Sequence, residues 1–308
     1  MVSDPIERVR KEMARVLVGQ DGLVDGLLIA LLCHGHVLVE GVPGLAKTTA
    51  VRSFAGVLGL SFRRLQFTPD LLPADLIGTQ VYEPASGEFR LHRGPIFRQV
   101  VLVDEINRAP AKVQSALLEA MEERQVTLAG ETLALPEPFL VMATQNPVEQ
   151  EGVYPLPEAQ VDRFMMKLRV EYPPEDDELR IVQQRTSPER AEPPQTVLSA
   201  GQIESLRART LQVHVEPVLA SYAVALVRAS REPDSIALGG SPRASIYLVE
   251  AARARALLEG RDFALPEDVK QVAPDVLRHR LRLTYEAEAE GRTAEDLISE
   301  LLQQVPTP

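Results

Sequence analysis

The 308-residue chain has a single cysteine, Cys33, so neither an internal disulfide nor a cysteine-built zinc site is available to it. The apolar setting of Cys33 predicts a buried, inert thiol. No apolar run approaches the ~20 residues that cross a bilayer. The most apolar stretch, "GLVDGLLIALLC" (22–33), is shorter, contains Asp25, and reads as a buried helix. The opening "MVSDPIERVRKEMARV" is charged and amphipathic, unlike an export signal. These features lead us to expect a cytoplasmic protein without membrane insertion. A basic excess is missing too: 33 Lys and Arg face 44 Asp and Glu, for a net charge of −11. Duplex-DNA binding needs a basic face, so nucleic acid is disfavoured as the partner, although a local basic patch stays open. The chain has no internal repeats and no low-complexity tracts.

What remains is ordinary globular material, 45% hydrophobic and 25% charged, in a length that suits two domains at roughly 150 residues each. Short apolar runs punctuate the first two-thirds: 36–40, 61–67, 100–104, 139–144 and 164–170. The third and fourth are almost wholly apolar, as strands covered on both faces are. Helical patterns at 47–58 and 111–123 separate some of them. In the second pattern Val113, Ala116, Leu117, Ala120 and Met121 share one face. Alternation of this kind predicts an α/β fold with a mainly parallel sheet flanked by helices. Turn chemistry inside 68–97 ("EPASGE") and 124–138 ("AGE") predicts two inserted hairpins. After Tyr172 the chain turns Pro-rich and charged, as a linker does. We expect an α/β unit over 1–190 and a smaller all-helical unit over 195–308, with "LQVHV" its only strand-like run. Ser199, Ser241-Pro242 and Thr293 with Asp296 are the expected helix starts there.

The stretch "VEGVPGLAKTTA" (39–50) is nearly a phosphate-binding loop. Gly41 and the Lys47-Thr48 pair are in place, Ala46 stands at the second glycine position, and Gly44 is an added glycine. A strand precedes the loop and a helix follows, as the motif requires. Backbone N–H groups over Gly41, Val42, Gly44, Leu45, Ala46, Lys47, Thr48 and Thr49 can surround a polyphosphate at the positive helix end. Lys47 can reach the outer phosphates of ATP and Thr48 can hold Mg²⁺. Asp104 and Glu105 end the apolar strand "VVLVD". One carboxylate there can bind Mg²⁺, directly or through water, and the other can deprotonate an attacking water. Asn146, after "FLVMATQ", can position that water, or simply make a turn. Arg163 is either a salt-bridge partner of Asp162 or another acid, or a cation offered to a phosphate of an adjacent subunit. Arg243 falls in the first turn of a helix, where the dipole disfavours a cation. Either an anion sits nearby or Arg243 is an ordinary surface residue.

In order, "GVPGLAKTT", "VLVDEINRAPAKVQSALLEAMEERQVTLAG", "ATQNPVEQEGVYPLPEAQVDRF" and "SPRA" resemble the MoxR family of AAA+ ATPases over nearly all of 15–260. Ala46 is the variant that family typically has. The resemblance implies a P-loop sheet with a C-terminal helical lid, ATP with Mg²⁺, and hydrolysis. It implies sensor 1 at Asn146, an arginine finger at Arg163 and sensor 2 at Arg243, with the position of sensor 2 in its own or a neighbouring site left open. The segment 68–97 resembles the helix-2 insert, and 124–138 the hairpin before sensor 1. The resemblance further implies hexameric rings and chaperone-like action on client proteins, often ones with a von Willebrand A domain. A motor acting on nucleic acid or a metal chelatase is the nearest alternative. A nucleotide-gated binding module with little turnover is another, which Glu105 and Arg163 argue against.

Overall fold

A computed structural model of the chain describes residues 3–42, 45, 47–85, 87–145, 154–186 and 193–308. Two helices, α1 (Ser3–Ala14) and α2 (Asp21–Leu32), come first. Then follow β1 (Val37–Glu40), α3 (Lys47–Val57), β2 (Phe62–Gln66), α4 (Pro73–Ile77), β3 (Gly78–Glu83), β4 (Glu88–Arg93), β5 (Val100–Asp104) and α5 (Ala111–Glu123). After them come β6 (Gln125–Leu128), β7 (Glu131–Ala134), β8 (Leu140–Gln145), α6 (Glu158–Val161) and β9 (Met166–Arg169). The last part holds α7 (Glu175–Thr186), α8 (Ala200–Gln212), α9 (Pro217–Ala229), β10 (Ile236–Leu238), α10 (Pro242–Leu258), α11 (Pro266–Leu277), β11 (Arg282–Leu283), α12 (Tyr285–Ala289) and α13 (Ala294–Gln304).

Five strands form one parallel sheet in the order β2-β5-β8-β1-β9. The five apolar runs of the sequence supply these strands. Side chains alternate between its faces. Val37, Val39, Val100, Leu102, Leu140 and Met142 join a core with α1, α2, α3 and the lid helices. Leu38, Val101, Val103, Val141 and Ala143 join a second core with α5. On α5 the helical spacing buries Val113, Leu117, Ala120 and Met121 against that face. Each such Leu, Val or Met side chain stabilises the fold by ~1.5–3 kcal/mol when fully buried. Sandwiched in this way, β5 is buried throughout, as its sequence requires, whereas edge strand β2 has no fully buried residue.

Both expected hairpins are present, β3 with β4 and β6 with β7. The C-terminal lid is helical, and its starts at Ser199 and Thr293 are capping boxes. It is not all helix, however. β10 and β11 pair as a short antiparallel ribbon, too brief to leave a period in the sequence. "LQVHV" is not a strand: Leu211 and Gln212 finish α8, and His214 makes only an isolated bridge to Phe263. Cys33 is a free thiol bonded to the Glu250 carbonyl, and burial pushes its pKa up, as an inert thiol requires.

Candidate active site

In a parallel sheet the carboxyl ends of the strands share one edge, where ligands bind. Here the ends of β1, β8 and β5 stand side by side. The loop after β1 leads into α3, an eleven-residue helix whose first residue is Lys47. In this loop Lys47 curls back, and its ammonium donates to the Gly41 carbonyl (2.6 Å). Burial lowers the Lys47 pKa, while Asp104 and Glu105 work in the opposite direction. Val42 packs against the core, Leu45 is buried, and Thr48 and Thr49 are half-buried in the first helical turn. Gly44 and Ala46 lie outside the described residues. Gly41 is needed for space behind the loop as well as for any ligand in front of it. A Cβ there would stand 2.7 Å from the Val170 carbonyl oxygen.

Asp104 is buried at the end of β5. Its Oδ2 accepts from Arg64 Nε (2.6 Å) and its Oδ1 from Thr144 Oγ1 (3.3 Å). The next residue, Glu105, has left-handed backbone angles (φ 58°, ψ 55°), which for a non-glycine residue cost on the order of 1–3 kcal/mol. The turn is held because the Glu105 N–H donates to Thr144 Oγ1 (3.0 Å), so one hydroxyl serves both acidic residues. The Glu105 side chain is aimed by Gln66 Nε2 (3.0 Å) and Arg108 Nε (2.9 Å), both on Oε2. Oxygen donors from Thr48 and Asp104 suit Mg²⁺, which takes one or two protein oxygens and keeps several waters. Sequence reasoning missed Arg64, Gln66 and Thr144. The signal for the first two was their spacing of two in "FRRLQ", which puts them on one face of an edge strand paired with β5. Asn146 directly follows β8 and lies outside the described residues.

A cleft of about 400 Å³ opens beside the loop, lined by Gly19, Gln20, Leu23, Val170, Tyr172 and Asp275 among others. Its volume is that of a small-molecule pocket. Gln20 joins cleft to loop, since its Nε2 donates to the Leu45 carbonyl (3.1 Å). Its Oε1 is buried with no protein partner among the described residues. Asp275, contributed by the lid, has its pKa raised by burial. The sequence offered no motif for this cleft.

Arg163 and Arg243 meet, but at the other edge of the sheet. Glu122, near the end of α5, takes Arg163 Nε on Oε2 (3.1 Å) and Arg243 Nη2 on Oε1 (2.8 Å). The anion beside Arg243 is therefore this carboxylate. Arg163 pairs with Glu122, not with Asp162, whose carboxylate holds Arg280 and Ser241 instead. Residue Met121 is bonded to His36, which precedes β1 and receives the Val141 N–H at the start of β8. The two arginines thus flank the amino ends of the strands, while Lys47, Asp104 and Glu105 occupy the carboxyl ends. β8 separates the edges by its six residues, about 16 Å at ~3.3 Å per step.

Residues 36–166 match the family described as ATPase family associated with various cellular activities (AAA), and 228–301 match the AAA lid domain. Chaperone MoxR1 of Mycobacterium tuberculosis is 50% identical over 98% of this chain and 82% of its own length. Protein MoxR of Methylorubrum extorquens is 35% identical over 99% and 96% respectively. A solved chain from Cytophaga hutchinsonii superposes with a TM-score of 0.93 at 45% identity, covering 100% of this chain and 96% of that one. With the AAA and lid models matched in order along one chain and relatives of this identity covered almost end to end, this chain belongs to the MoxR family of AAA ATPases, which implies ATP hydrolysis.

Proposed function

We propose that ATP is bound by the 41–49 loop, with its base in the cleft beside Gln20, and is hydrolysed between two subunits of a ring. Lys47 and the loop N–H groups bind the phosphates. Thr48 and Asp104 hold Mg²⁺, which when bound neutralises phosphate charge. Glu105 accepts the proton of the attacking water and Asn146 orients that water. Arg163 and Arg243 serve the phosphate of the adjacent subunit. The observation that carries this reading is the placement of both arginines at the sheet edge opposite Lys47 of the same chain. A cation at that edge is separated from its own loop by the length of the sheet, which supports a role toward an adjacent subunit.

Six subunits are the proposed ring, divided into an ATPase unit over 1–190 and a lid unit over 195–308. Client proteins, including ones with a von Willebrand A domain, are its substrates in the cytoplasm. The chaperone designation of the mycobacterial relative supports that reading. So does the β3–β4 hairpin, which exposes Tyr82 and Phe89 with ring centroids 5.3 Å apart, an apolar pair suited to an unfolded segment. No helix among the described residues is long and apolar enough to cross a membrane. The test is Glu105→Gln, which keeps shape and hydrogen bonding but loses the base. It should bind ATP normally, hydrolyse it ~10²–10⁴-fold more slowly, and retain client protein in a pull-down. Wild-type turnover in this variant would move the base elsewhere.

A further inference from the structure

The two arginines are fixed at their bases by a buried knot. Arg280, in the turn that follows α11, is buried, and each of its five N–H groups has an acceptor. Nε donates to Asp162 Oδ1 (2.7 Å), and Nη2 donates to the carbonyls of Asp162 (2.8 Å) and Phe164 (2.6 Å). Nη1 donates to the carbonyls of Met165 (3.2 Å) and Val276. The backbone is therefore gripped on both sides of Arg163. Asp162 also accepts from Ser241 Oγ (3.0 Å), the residue that opens α10, and Arg243 stands in the first turn of that helix. The Arg280 guanidinium lies 5.1 Å from the ring centroid of Tyr247, one turn further along α10. One guanidinium thus sets where both arginine-bearing segments begin.

The heads of the two side chains need a second constraint. Arg side chains have many rotamers, and two guanidinia brought together repel. Glu122 supplies the constraint, with one carboxylate oxygen for each arginine. Its own position is firm, because Leu117, Leu118 and Met121 bury the adjacent face of α5 and Met121 is tied to His36. The side chain itself is 40% exposed, so the pair it holds stays within reach of an incoming anion. Around it lies a cavity of about 120 Å³ whose lining adds Arg124, His34 and Tyr247.

We propose that Glu122 is a positioning residue for ATP hydrolysis: it presents Arg163 and Arg243 as one unit, so that both guanidinia meet the neighbouring subunit's phosphate together. Preorganised charge of this kind stabilises a transition state without reorganisation at the moment of reaction, and small misplacements cost up to ~10²-fold. The inference rests on the reading that these arginines act across the subunit interface.

The test uses full-length Glu122→Ala and Glu122→Gln beside Arg163→Ala. Gln has one acceptor oxygen, so it can hold one guanidinium while its amide repels the other. Both Glu122 variants alter a surface side chain and should melt like wild type. Both should bind ATP with unchanged affinity, because the loop is at the opposite edge. Their kcat should fall about tenfold with KM unchanged. Mixing Glu122→Ala with Lys47→Ala should restore turnover, since the first contributes an intact loop and the second an intact arginine pair. Wild-type kcat in Glu122→Ala would overturn the proposal. So would a loss that Lys47→Ala does not restore under conditions where it restores Arg163→Ala. If Arg163→Ala is not restored either, the interfacial reading itself fails and this inference falls with it.

Discussion

Thr144 and Glu105 are joined by a bond that holds a strained turn: the Glu105 N–H donates to Thr144 Oγ1 at 3.0 Å while Glu105 sits at φ 58°. The same hydroxyl donates to Asp104. Thr144→Val keeps the shape and removes the hydroxyl. It leaves a backbone N–H without its acceptor, at a cost of about 1–3 kcal/mol, and frees Glu105 to leave the left-handed region. Denaturant unfolding should register that loss, and kcat should fall more than the affinity for ATP. Unchanged kcat with reduced stability would make Thr144 purely structural.

Lys47→Ala removes a half-buried ammonium that donates to the Gly41 carbonyl. The stability change should stay within about 1 kcal/mol, while calorimetric titration should find ATP binding abolished. Near-normal affinity would place the phosphates elsewhere.

Gly41→Ala probes the back of the loop. The new Cβ would meet the Val170 oxygen at 2.7 Å and the Val170 Cβ at 3.2 Å. A backbone atom cannot swing away, so the loop must shift, with an overpacking cost of ~1–3 kcal/mol. Gly41 also carries the carbonyl that receives Lys47. Reduced stability together with weaker ATP binding is expected, and wild-type behaviour in both would contradict the close approach.

His36 is buried between the start of β8 and the end of α5, with its Nδ1 accepting from Val141 and its Nε2 facing the Met121 carbonyl. Burial pushes its pKa down to about 4 from the ordinary 6.5. The unfolded chain then binds a proton the folded one does not, so this stabilisation is complete above pH 6.5 and is lost as pH falls through 4. Imidazole NMR should find His36 neutral, with its proton on Nε2, down to pH 5. Titration near 6.5 would refute this.

Much of the architecture was legible because it rests on period and punctuation. The apolar runs at 100–104 and 139–144 are covered on both faces, and 111–123 repeats its apolar residues along one helical face. The loop and the Asp104-Glu105 pair were legible because their chemistry is local in sequence. Gln66 and Arg64 were not, because their meaning depends on the register of β2 against β5. Glu122 looks like any solvated acid on an amphipathic helix until Arg163 and Arg243 are brought to it. Arg280 gave no sign of itself, since burial of a guanidinium is decided by the carbonyls that meet it, here from 162–165 and from Val276. Ser241 and Pro242 do open α10, as the sequence predicts, but the Ser241 hydroxyl bonds Asp162 rather than an N–H of the helix.

The central claim is that each site is completed by a second chain. Arg163→Ala and Lys47→Ala should each be inactive alone, the first still binding ATP. A trans-supplied arginine is worth ~10³–10⁵ in turnover in other phosphoryl-transfer systems. In a mixed ring some interfaces pair the intact loop of the Arg163→Ala subunit with the intact arginine of the Lys47→Ala subunit. ATPase activity should therefore reappear on mixing and rise with protein concentration. A mixture that exchanges subunits, as followed by fluorescence transfer between labelled chains, yet stays inactive would contradict the interfacial site.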